Sequence, residues 1–171
     1  MALSVPLSRF TSRVGGGSAF FVRHHSRVVK KNTAYAYLSI DEFFCPVDEL
    51  TKRVGLQPTK AWQVGDIFPP VPVPRKFSAW HLKSRLSSSE EVERHVLDVL
   101  DQIRGREAVF RDLSREFCVR MQCVGYYSDY NPGFRLESDV VRRVAECGMM
   151  LDLDAYHLFD DTQETEDDHD A

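Results

Sequence analysis

Four stretches of this chain alternate apolar and polar residues as strands do, and the stretches between them repeat their apolar residues as helices do. That switching constrains the fold more than any other feature. A strand buries every second residue and a helix every third or fourth, so the two patterns cannot share one kind of element. The strand-like stretches are "TAYAYLSI" (33–40), "FSAWHLKS" (77–84), "FCVRMQCVGYY" (117–127) and "MMLDLDAYHL" (149–158). Between the first two lies "PVDELTKRVGL" (46–56), with Pro46 in the first turn, acids early, Lys52 and Arg53 late, and Gly55 to stop it. That is the order a helix prefers. "SSSEEVERHVLDVLDQIRG" (87–105) gives a longer helix. Val92, Val96, Val99, Leu100 and Ile103 share one of its faces, and Ser88 and Glu91 have capping-box spacing. Residues 107–115 add a short helical segment, and "LESDVVRRVAECG" (136–148) a third helix. "QPTKAWQVGDIFPPVPVPRK" (57–76) reads as a loop with polyproline character, stiff before the second strand rather than an SH3-type ligand.

The predicted fold class is α+β: a four-stranded sheet covered by helices on one face. An internal echo at an offset of 90 residues pairs Tyr37 with Tyr127, Phe44 with Phe134, and "ELTKRV" (49–54) with "DVVRRV" (139–144). Three extra residues then align Gly55 with Gly148. The echo suggests a duplicated β-α-β unit in a ferredoxin-like layout with an inserted helix. Two helical segments at 90–115 would let the third strand run antiparallel to the second.

Charge divides the chain of 171 residues into three parts. The first 40 residues carry six Lys/Arg and no acid, and the last 13 carry seven acids and no base, within a net charge of −4. Residues 1–32 read as a flexible basic leader, 33–158 as a single domain, and 159–171 as a disordered acidic tail. An acid-free, Arg-rich leader also fits an organelle transit peptide, whereas "SAFFV" is too short for a secretory signal. No apolar run approaches a membrane span. Cys45, Cys118, Cys123 and Cys147 form no CxxC pair. They read as reduced thiols in a reducing, cytoplasmic compartment.

These features together resemble a mostly bacterial family known only as Domain of Unknown Function 4279. The residues that carry the resemblance are "AYLSI", "DELTKRVGLQPTKAWQVGD", "AWHLKS", the long helix with its acidic start, and "LDLDAY". The resemblance covers about residues 33–158 and neither end. It implies an α+β fold with a helix-covered sheet and carries over no catalytic residue. Its members look like small stand-alone bacterial proteins, which brings partner binding such as toxin neutralisation, the role of an immunity protein, into view. The long basic leader departs from the family's usual short N-terminus.

Strand alternation divides the sheet into two faces. One carries Ala34, Ala36, Leu38, Ile40, Trp80, Leu82, Phe117, Val119, Met121, Cys123, Leu151 and Leu153 into a core. The other carries Tyr35, Tyr37, Ser39, His81, Lys83, Arg120, Gln122, Val124, Tyr126, Asp152, Asp154 and Tyr156. With helices on the first face only, the second becomes a tyrosine-rich polar surface. It is either an ordinary solvated sheet face or a binding platform. The candidate binding residues are Tyr35, Tyr37, His81, Lys83, Arg120, Tyr126, Asp152 and Asp154. Trp80 belongs in the core, and Trp62 in the loop is expected half exposed.

Other chemistry finds little support. Asp152 and Asp154 share a face and could hold a proton or cation, but read as solvated acids. His24 and His25 sit in the leader, and "YSDYNPGF" (127–134) is turn chemistry without the acids of a calcium loop. GxGxxG, Walker, GxSxG and HExxH motifs do not occur. No catalytic residue, metal or cofactor is assigned. The leading expectation is a non-enzymatic interaction module for a basic protein, without membrane contact and of open oligomeric state. RNA binding through an aromatic sheet is the alternative, disfavoured by the acidic domain and by Asp152 and Asp154. An unrecognised hydrolase would need His81 beside Asp152 or Asp154.

Overall fold

A computed structural model describes residues 31–70, 72–128 and 133–158. The bulk of the leader, with His24 and His25, lies outside the described residues, as does the acidic tail. The elements run β1 (Thr33–Asp41), α1 (Val47–Val54), β2 (Lys60–Trp62), β3 (Ala79–Lys83), α2 (Val92–Gln102), α3 (Glu107–Leu113), β4 (Cys118–Tyr127), α4 (Ser138–Glu146) and β5 (Met150–His157). They form an α+β fold with one five-stranded mixed sheet in the order β2-β3-β1-β4-β5.

β1 sits at the centre, antiparallel to β3 on one side and to β4 on the other. Its register runs from Thr33↔Tyr126 to Asp41↔Cys118. β4 and β5 pair in parallel through α4, the short crossover that a parallel pair requires. The buried residues of all four helices join the same cluster as Ala36, Leu38, Ile40, Trp80, Met121 and Cys123. The helices therefore cover one face of the sheet and, among the described residues, leave the other without a helix. Trp80 is fully buried there, and its Nε1 donates to Thr51 Oγ1 on α1 at 3.2 Å.

Several expectations need correction. The sheet has five strands, not four, because "KAW" inside the expected loop pairs with β3 from Lys60↔His81 to Trp62↔Ala79. β2 returns the chain in the direction of β1, so β3 runs antiparallel to β1 beside it. β3 and β4 both oppose β1 and so run the same way, although α2 and α3 are two separate helices. The sheet is thus mixed and five-stranded rather than the four-stranded ferredoxin-like one expected.

Ser88 and Glu91 form no capping box. Helix α2 starts one residue after Glu91, with no side-chain cap, and the Ser88 carbonyl accepts from the Ala34 amide at 2.8 Å. Leu151 and Leu153 lie on the core side of the sheet but are 36% and 44% exposed. They sit on the outermost strand, where helix cover runs out.

Trp62 is buried rather than half exposed. Its Nε1 donates to the Phe77 carbonyl at 2.9 Å, and the Arg75 guanidinium lies over its ring at 4.9 Å. The proline-rich loop between β2 and β3 is closed at its base by two backbone bonds. The Gly65 amide donates to the Arg75 carbonyl, and the Arg75 amide to the Asp66 carbonyl.

Candidate functional site

The helix-free face collects side chains from all five strands. Cross-strand partners point the same way, so the pairs Ser39↔Arg120, Tyr37↔Gln122, Gln122↔Asp152 and Val124↔Asp154 fix its layout. All eight expected residues lie on this face. The face is not the evenly solvated surface that alternation suggests, since Ser39, Gln122 and Val124 are buried.

The organising residue is Asp41, which sequence reasoning did not place in the site. Its carboxylate is buried at the end of β1. Ser39 Oγ donates to its Oδ1 at 2.7 Å, and Arg120 donates to its Oδ2 from Nη2 at 2.6 Å and from Nε at 3.0 Å. His81 Nε2 lies 3.8 Å from Oδ1. Burial alone pushes the Asp41 carboxyl up, but the nearby His81 and the bonds from Arg120 and Ser39 outweigh it and hold it below the usual carboxylate range. Asp41 stays ionised at neutral pH and acts only as an acceptor.

Arg120 also reaches outward, donating from Nη1 to Asp152 Oδ2 at 3.3 Å. Gln122 Nε2 donates to Asp154 Oδ2 at 3.0 Å. The two acids of β5 are therefore bound to separate donors on β4. His81 was expected beside Asp152 or Asp154 for a hydrolase; the carboxylate it meets is Asp41.

Aromatic rings frame this polar row. His81 lies between Tyr37, with ring centroids 4.7 Å apart, and Trp62, at 4.9 Å. Tyr35 stacks on Tyr37 at 6.2 Å, and Lys83 Nζ lies 4.7 Å above the Tyr35 ring. Tyr126 and Tyr156 stack at 5.0 Å. Burial, followed by a bond to Tyr126, pushes the Tyr35 hydroxyl up to about 12. Burial raises Tyr37 as well, so both phenols of β1 stay neutral and present apolar rings with a polar edge.

The alternation of β1 contained a signal for Asp41, because it continues the series Tyr35, Tyr37, Ser39. The signal for Trp62 was too short, being a single alternation beside prolines.

Among the described residues, no His, Cys, Asp and Glu side chains gather as a metal site. The four cysteines are unpaired, and burial pushes Cys123 up to about 12 and Cys147 to about 11, so neither is a thiolate at neutral pH. Also among the described residues, no helix is long and apolar enough to cross a membrane.

Comparison with known proteins gives one family. The Domain of unknown function (DUF4279) matches residues 32–158, and the chain belongs to that family. Neither the curated proteins nor the solved structures yield a match.

Proposed function

We propose that this member of the DUF4279 family is a non-catalytic interaction module whose helix-free sheet face docks a basic protein. Neutralisation of a toxic partner in the cytoplasm is the specific role we put forward. The observation that carries the reading is the mutual satisfaction of the polar groups on that face. Asp41 is held by three side chains, Asp152 by Arg120 and Asp154 by Gln122. Groups spent on one another make a rigid surface rather than a proton-transfer pair. Stacked tyrosines around them supply contact area at low entropic cost. The acids of β5 and the acidic C-terminal residues give the field that steers a cationic partner. Four unpaired cysteines support a reducing compartment.

The sequence echo bears on how such a face is built. α1 and α4 both lead to a glycine with positive φ, Gly55 at 70° and Gly148 at 69°, and each is followed by a strand parallel in direction to the one before the helix. We read this as a duplicated β-α-β unit, with β3 inserted into the first copy.

The test immobilises the full chain, captures its partner from a lysate of the source organism, and measures rates by surface plasmon resonance. A basic protein should be retained, and Tyr35→Ala with Tyr37→Ala should speed its dissociation while the fold persists. Retention of nucleic acid instead, or rates untouched by the two substitutions, refutes the reading.

A further inference from the structure

An edge strand presents a row of amide and carbonyl groups that another strand can bond, and proteins usually protect it. Common devices are a very short strand, charged side chains (lysine above all), a proline, a bulge, or a covering loop, and β5 has only the acids Asp152 and Asp154, which repel a second acidic strand but not a cationic one. The β2 edge uses several: Lys60–Trp62 is three residues long, begins with a lysine, and has Arg75 of its own loop folded over it. β5 is different. It is eight residues long, contains no lysine or proline, and pairs with β4 in unbroken register from Arg120↔Met150 to Tyr127↔His157. Among the described residues no strand lies beyond it. Its apolar side chains reach solvent on both faces, with Met150 54% and Tyr156 47% exposed on one side and Leu151 and Leu153 on the other.

We propose that the outer edge of β5 accepts a further strand from a basic protein, an extended segment in which cationic and apolar side chains alternate. The strand's own pattern specifies that chemistry. Asp152 and Asp154 point to one face, and Leu151 and Leu153 to the other. A strand laid alongside sets one residue opposite each of them, about 4.5–5.5 Å away between Cβ atoms. Cations opposite the acids add to the single bonds these carboxylates take from Arg120 and Gln122 on the β4 side, and apolar groups opposite the leucines cover their exposed area. Main-chain bonds supply affinity and the alternate side chains supply selectivity, as in other strand-addition interfaces.

The same acids argue against a second copy of this chain. A continuous antiparallel sheet must pair residues of like parity. The registers of greatest overlap then set Asp152 opposite Asp154, or Asp154 opposite its own counterpart. Like charges directly opposite are destabilising. Registers that avoid them shorten the ladder.

This inference concerns the edge and stands apart from the docking of a partner on the face. The test uses the full, isotope-labelled chain and a synthetic octapeptide alternating lysine and valine, with a block isomer of the same composition as control. The alternating peptide should slow hydrogen exchange at the β5 amides that point away from β4 and bind about tenfold more tightly than the block isomer. Asp152→Asn with Asp154→Asn should weaken it about tenfold, the scale of two cross-strand charge pairs. Leu153→Lys, a charge on an exposed edge position, should weaken it independently. Tyr37→Ala should leave it unchanged, which separates this edge from the face. Equal binding of the two isomers shows charge attraction alone and overturns the proposal. So does unchanged exchange at β5. Protection of the β5 amides that point away from β4 before peptide is added, whether by the chain's own basic leader or by a dimer seen in sedimentation, overturns it as well.

Discussion

Replacing Asp41 by Asn removes the charge at the centre of the sheet face while keeping the shape of the side chain. The wild-type carboxylate is buried and takes bonds from Ser39 at 2.7 Å and from Arg120 at 2.6 and 3.0 Å. Removing one partner of a buried ion pair costs about 3–5 kcal/mol, chiefly because the other charge is stranded. Arg120 is not fully stranded here: its side chain is 31% exposed and keeps Asp152 at 3.3 Å. Solvent and the second acid recover part of the loss, so Asp41→Asn should destabilise by about 2–3 kcal/mol. Urea unfolding measures this as a lower midpoint at unchanged slope. Arg120→Met in the Asp41→Asn background should restore about 1 kcal/mol or more, since it removes the uncompensated cation. The pH dependence gives a second check. Asp41 is held below its ordinary value, so near pH 4 the folded chain binds fewer protons than the unfolded one. Its contribution is complete above the unfolded value and is lost as pH falls through the folded one. Wild-type stability should therefore drop below about pH 4, and Asp41→Asn should drop less steeply there. A midpoint within about 0.5 kcal/mol of wild type, with the same acid limb, would refute the view that Asp41 organises the face.

Three further outcomes are expected. Trp80→Ala should cost about 3–5 kcal/mol as a large-to-small change in a full core, read by chemical denaturation; Trp80→Phe and Trp62→Phe variants should each leave one tryptophan that iodide quenches poorly, because both rings are buried. His95 is buried with Nδ1 2.9 Å from Ser84 Oγ, and burial holds its pKa below the usual value; stability should be complete above about pH 6.5 and fall as pH drops below it, and His95→Leu should flatten the curve between pH 7 and 5. Gly148→Ala should cost clearly more than Gly105→Ala in a thermal melt. Both glycines have positive φ, but a Cβ at 148 would lie 2.5 Å from Ser114 Oγ, whereas at 105 it meets open space.

The central strands were legible because alternation and burial coincide there. Ala34, Ala36, Leu38 and Ile40 on β1 and Val119, Met121 and Cys123 on β4 point one way and are all buried. On β5 the same period predicts the facing of Leu151 and Leu153 correctly and their burial wrongly. Periodicity reports which face a residue takes, not how far the strand lies from the middle of the sheet. β2 escaped notice because three residues are too few to establish a period, and Pro58 lies just before it. The capping box failed because the helix begins later, with Glu91 rather than Ser88 just before its first residue. Asp41 was hidden for another reason. An acid at the end of a strand reads as the start of a turn, and the arginine that permits its burial lies 79 residues further along the chain.

The division of labour on the face follows from where its polar groups are already committed. A partner that drew Arg120 away from Asp41 would leave a buried carboxylate short of donors, and new contacts would first have to offset that loss. The polar row is therefore suited to staying intact beneath a bound partner. Apolar area comes from the rings that flank it: Tyr35 and Tyr37 beside His81, and the stacked Tyr126 and Tyr156 at the other end. Tyr156 is the most open of these, on the same strand as Asp152 and Asp154. For the docking proposed above, ring contact would govern how long a partner stays, while the nearby acids would govern how fast it arrives. This arrangement also argues against proton transfer by His81. Its carboxylate neighbour is locked by Arg120 and Ser39, and both of its flanks are taken by rings. A general base needs an open approach to the proton it removes. Here the imidazole is packed as part of the aromatic frame, between Tyr37 and Trp62.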